Sequence, residues 1–169
     1  MNSGIRRIIY SLVIVATVVL AAAWSATAWV PRGDDELVGT WNVTVQLNDC
    51  NGNNLGSTFP SLLTFADGQT YTEDTLNPSF AVGQRGSGHG IWEFRGHHSY
   101  YAKQVAFINF TTTPPPPPGF TQGTQTVTQT IDFNHGPDQW MANANVTFAD
   151  ISGTIYRSAC ATATATRME

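Results

Sequence analysis

The sequence predicts an all-β domain, an eight-stranded antiparallel up-and-down barrel, and three observations carry that prediction. From Leu37 onward apolar and polar residues alternate with period two, and no stretch holds a 3.6-residue apolar period. Turn-forming clusters punctuate the alternation, among them Ala66-Asp67-Gly68-Gln69, Gly96-His97, His135-Gly136-Pro137-Asp138 and Asp150-Ile151-Ser152-Gly153. The connections also sort by length into one tight end and one loop-rich end, the plan of a closed barrel with a mouth.

Composition agrees. The chain has 169 residues, 41% hydrophobic, 11% aromatic and 12% charged, which suits one domain with a core and excludes a disordered chain. Ala, Glu, Lys, Leu and Arg are together too scarce for a coiled coil, and Lys103 is the single lysine. A net charge of −4 without a basic cluster excludes a nucleic-acid binder, whose phosphate contacts need lysine and arginine.

The first segment reads as an address. Arg6 and Arg7 form a positive start, an apolar run from Ile8 to Trp24 follows, and Ala26-Thr27-Ala28 supplies a small-x-small cleavage site. Residues 1–28 are therefore expected to be a signal peptide, 29–36 a short linker and 37–169 the barrel, in a secreted or periplasmic protein. The rival is an uncleaved anchor, because Ile8–Val30 is long enough to span ~30 Å of hydrocarbon; that would be the chain's sole membrane contact. Export makes the cysteines informative: Cys50 and Cys160 are the only two, and an oxidising compartment favours a bridge between them.

The strands follow in order. The first covers about 37–48, with Trp41, Val43, Val45 and Leu47 on one face and Asn42, Thr44, Gln46 and Asn48 on the other. The next are expected at about 57–65, 70–76, 89–95, 99–111 and 122–133. A strand at about 139–148 sets Trp140, Ala142, Ala144, Val146 and Phe148 against Met141, Asn143, Asn145 and Thr147, and the last covers about 154–167. The connections at 49–56, 77–88 and 112–121 are long and rich in Gly, Pro and Asn, and they fall together at the mouth. The third contains five consecutive prolines and is expected to be polyproline II, a stiff link that shapes the mouth.

Leu37-Val38-Gly39-Thr40-Trp41 carries a G-x-W start and resembles the calycin superfamily of lipocalins, fatty-acid-binding proteins and avidins. The resemblance covers about 37–167 and implies that Trp41 closes the barrel floor with a late arginine stacked over it. Placing Cys50 opposite Cys160 puts Arg167 opposite Val43 and diagonal to Trp41, so Trp41 and Arg167 are expected to meet as a structural cation–π pair. The chain has no T-D-Y-type tripeptide before a late strand, and its last expected element is a strand. That makes it more like an avidin, or the dirigent and allene oxide cyclase barrels, and similar also to exported bacterial proteins without an assigned activity.

The resemblance implies ligand binding, and the residues nominate a site. Trp92, Phe94 and Trp140 are expected to face inward as apolar lining, Arg157 to point inward near the mouth, and Arg85 and His89 to help hold an anion there. The leading expectation is an exported, lipocalin-like binder of a small apolar or amphipathic molecule, with a carboxylate as one form of its polar end. No catalytic residue, metal or cofactor is assigned. His89, His97, His98 and His135 are too dispersed for a metal, since His89 starts a strand at the mouth and His97 and His135 sit in floor turns ~20 Å away at about 3.3 Å per residue. The alternatives are a filled barrel acting through its loops as an interaction or envelope protein, and a cyclase-like enzyme using Glu73-Asp74 or Glu93 for acid–base work. The alternation turns Glu93 toward water.

Overall fold

A computed structural model describes residues 35–56, 58–110, 122–133 and 136–169. The expectations for the signal segment, for most of the linker, for the proline run and for His135 lie outside these residues. After a short 3₁₀ turn at Asp35–Leu37 come β1 (Gly39–Asn48), β2 (Phe59–Ala66), β3 (Thr70–Thr75), β4 (Gly88–Gly96), β5 (Ser99–Asn109), β6 (Gln122–Asp132), β7 (Gln139–Asp150) and β8 (Ile155–Arg167). Each pairs antiparallel with the next, and β8 returns to β1. The eight-stranded antiparallel up-and-down barrel is thus the fold of this chain, and its closure leaves no sheet edge exposed.

Period-two alternation becomes inside and outside directly. On β2, Phe59, Ser61, Leu63 and Phe65 are buried while Pro60, Leu62, Thr64 and Ala66 are exposed. On β8, Ala161, Ala163 and Ala165 turn inward and the intervening threonines outward. The tight end uses left-handed residues where two-residue hairpins need them: His97 and His98 have φ of 51° and 61°, and Gly96 pairs with Ser99 across them. Both histidines are turn residues, as expected for His97.

The Cys50–Cys160 disulfide is present, closing a sequence separation of 110. The register around it corrects the expectation by two residues: Cys160 lies opposite Asn48, and Arg167 lies directly opposite Trp41 rather than Val43. The reason is local. β1 stops at Asn48, the chain turns at Cys50 with φ 64°, and the bridge spans from that turn back to β8 with the Cα atoms 4.9 Å apart.

The core divides along the barrel axis. At the closed end Trp41, Phe65, Tyr71, Trp92, Tyr100, Ile131, Phe133 and Trp140 form one buried cluster with Leu37. Trp41 meets Phe133 edge-on at 5.6 Å and Trp140 at 5.9 Å, and Phe65 stacks on Tyr71 at 4.8 Å. Such pairs contribute about 0.5–1.5 kcal/mol each beyond simple burial. Opposite the large rings, β7 and β8 contribute Ala142, Ala163 and Ala165, whose small side chains leave room for indoles.

Arg167 seals this floor. Its guanidinium lies 4.2 Å from the Trp41 ring and donates to the carbonyls of Val38 at 2.7 Å and Glu36 at 2.6 Å, and to Asp138 Oδ1 at 3.0 Å. Trp41 Nε1 donates to the Leu37 carbonyl at 2.9 Å. The geometry explains why glycine precedes the tryptophan. Gly39 has φ 135°, and a Cβ there would stand 2.7 Å from Arg167 Nη1.

Candidate functional site

Above the aromatic floor the interior turns polar. The waist is built by inward positions of five strands or loops: Ser61 on β2, Glu73 on β3, Arg85 from the β3–β4 connection, Gln104 on β5, and Gln125 and Gln129 on β6. Ser61, Glu73, Gln104, Gln125 and Gln129 are all buried. Arg85 and Glu73 form an ion pair, Nη2 to Oε2 2.5 Å, with side chains only 6% and 9% exposed. Arg85 Nε donates to Gln125 Oε1 at 2.5 Å, and Ser61 Oγ donates to the other Glu73 oxygen at 3.2 Å. Burial first, and the Glu73 carboxylate second, hold the nearby Tyr71 phenol well above its usual pKa of 10.0, with Gln129 pulling the other way.

Arg85 reaches this place because its loop folds back on the barrel. It forms a single antiparallel bridge with Ile108; the Gly86 amide donates to the Phe107 carbonyl at 2.9 Å and the Asn109 amide to the Gln84 carbonyl at 2.8 Å. That short strand-like contact fixes the backbone and aims the guanidinium inward. Taking a guanidinium out of water costs several kcal/mol, so the Glu73 carboxylate is a requirement of its burial rather than an ornament.

Two adjoining spaces result. The waist group borders an interior cavity of about 60 Å³ together with Val45, Leu63 and Ala163. Above it opens a mouth cup of about 390 Å³, walled by Phe80, Phe110, Phe148, Tyr156 and Arg157. Leu47, Asn77, Gln125 and Val146 line both spaces, so the two adjoin. A larger open hollow of about 1170 Å³ is bordered by the outward-facing Asn42, Leu62, Met141 and Thr166, and also by Trp140 and Arg85.

The nominated residues therefore separate. Trp92 and Trp140 are buried, but in the floor cluster, and neither borders the waist cavity or the mouth cup. Phe94 lies opposite the buried Tyr100 and packs on it at 5.2 Å, but at the end of β4 beside the irregular pairing it is 39% exposed and borders neither the waist cavity nor the mouth cup. Arg157 keeps inward parity yet remains exposed at the rim, its guanidinium 5.8 Å from the Phe148 ring where the β7–β8 register shifts. His89 is on the outer face of β4 opposite Thr72 and does not join Arg85. Arg85 is deeper than expected and already paired, so it is no free anion anchor. Glu93 is turned outward and bound to Arg95.

Strand parity held a signal for Glu73, which alternates in step with Tyr71. Gln104, Gln125 and Gln129 were missed because inward glutamines on β5 and β6 alternate with outward lysine or threonines, so both faces read as polar. No family model matches this chain, and no curated protein matches it in sequence.

Proposed function

We propose that this chain is an exported, lipocalin-like binding protein for a small apolar or amphipathic molecule, held in the mouth cup above the waist. The observation that carries the reading is the cup itself: about 390 Å³ lined by aromatic rings and a few polar groups, within the ~300–1,000 Å³ range of small-molecule sites and adjoining a polar recess. The interior cavity of about 60 Å³ is too small for a ligand body, so the molecule sits high in the barrel. The calycin-like part of the reading is supported by Gly39, Trp41 and Arg167, which close the floor as the resemblance implies. Export is supported by the disulfide, which suits an oxidising compartment.

Native mass spectrometry after mild purification, followed by solvent extraction, tests this directly. A co-purifying low-mass apolar compound, lost when Ala159→Phe fills the cup, is the expected result. Protein that is empty and takes up neither alkyl nor aromatic probes would sink the reading.

A second reading is favoured by one observation. The interior is nearly full, and Ile91, Val105 and Phe107 stand exposed on the outside of β4 and β5, as suits a filled barrel that meets a protein partner or the cell envelope. An acid–base enzyme ranks third, because Glu73 is already committed to Arg85 and Ser61.

A further inference from the structure

We propose that the waist cavity receives an uncharged hydrogen-bonding head group, an alcohol or a primary amide, from an amphipathic ligand whose apolar body fills the mouth cup. This deepens the binder reading and rests on it. The first ground is an unmet acceptor. Gln104 is 4% exposed, borders the cavity, and its Oε1 has no hydrogen-bond partner among the described residues. Buried acceptors are rarely left so, because the lost hydration is not returned by anything else.

The second ground is charge. Arg85 and Glu73 neutralise each other inside the same lining. A ligand carboxylate would stand in low dielectric beside Glu73, and a ligand ammonium beside Arg85, so each ionic head meets a like charge that the pair has already compensated. A neutral head meets neither. A hydroxyl or an amide both donates and accepts, which lets it satisfy Gln104 Oε1 while taking a hydrogen bond from the surrounding amide or guanidinium N–H groups.

The third ground is space. A Cβ at Gly88 would come within 2.6 Å of Gln104 Oε1 and 2.8 Å of Glu73 Oε2, so glycine at this strand position lets the two oxygens sit against the backbone. The remaining cavity of about 60 Å³ has room for a few waters or one small polar group. The cup above supplies the volume for the rest of the molecule, and the four residues shared by both spaces set the two side by side. The carboxylate expected from Arg157, Arg85 and His89 thus gives way to a neutral head below an apolar body.

The test uses the full chain and the neutral fluorophore N-phenyl-1-naphthylamine, displaced at pH 7 by four ligands of equal chain length: 1-octanol, octanamide, octanoate and octylammonium. The expected result is displacement by the alcohol or the amide at about tenfold lower concentration than by either ion. Gln104→Met, checked for folding by circular dichroism, should shrink that advantage to about threefold or less. Should this variant fail to fold, the wild-type ratio decides alone. Displacement by octanoate or octylammonium at equal or lower concentration overturns the head-group assignment while leaving the cup as a binding site. A protein that never takes up the fluorophore, with only water in its waist, overturns the binder reading and this inference together.

Discussion

The closed end and the waist of this barrel are built from the same eight strands and solve opposite problems. At the floor, large rings fill the space, and the Arg167 guanidinium is spread over Trp41, three backbone carbonyls and Asp138. At the waist, an arginine and a carboxylate are buried among three glutamines and a cavity remains; among the described residues, buried polar atoms without a partner occur in both regions, Trp140 Nε1 and Tyr71 OH in the floor cluster and Gln104 Oε1 at the waist. The floor lowers free energy by packing; the waist gives some of it up by holding polar groups out of water. That difference separates scaffold from candidate site more sharply than the fold does, since barrels of one architecture host many functions.

The comparison makes graded predictions. Trp41→Ala should be the most damaging single change, removing two ring contacts, the Arg167 stack and the hydrogen bond to Leu37, and costing toward the upper end of ~3–5 kcal/mol in urea unfolding. Arg85→Met should cost about 3 kcal/mol, because it strands the Glu73 carboxylate in the interior. The double variant Arg85→Met with Glu73→Leu should recover most of that loss. A double variant as unstable as the single one would show that the pair contributes more than mutual compensation.

Tyr71 supplies a pH test at the border between the two regions. Its folded pKa is raised above the unfolded value near 10.0, so its contribution is fully present below that pH and declines as pH rises beyond it. In absorbance titration at 295 nm, a signal lost on Tyr71→Phe should appear only as the protein unfolds in alkali. Arg157→Ala should be the mildest change, within about 0.5 kcal/mol of wild type, because the side chain is exposed at the rim.

How much of this was legible in the sequence follows from what alternation can encode. Strand order and the tight end were readable because Asp-Gly, Gly-His and Gly-Pro turns interrupt a clean period of two. The Trp41–Arg167 contact was readable as a pair, though not in its register, because Cys50 lies beyond the strand end in a left-handed turn that no spacing rule locates. Arg85 was not readable as a buried residue: a long loop delivers it, and loop paths depend on contacts such as the bridge to Ile108 rather than on periodicity. Phe94 misled because parity gives a direction but not the depth at which a strand leaves the barrel. The glutamines of β6 were hidden by polar neighbours on both faces.

The central claim is that ligand affinity resides in the mouth and waist while the floor is scaffold alone. N-phenyl-1-naphthylamine uptake by wild type, Ala159→Phe at the cup and Phe133→Leu in the floor tests it most directly. The account predicts affinity within about twofold of wild type for Phe133→Leu and a loss of about tenfold or more for Ala159→Phe, with both proteins folded. Unchanged uptake by Ala159→Phe, or a comparable loss in Phe133→Leu, would contradict it.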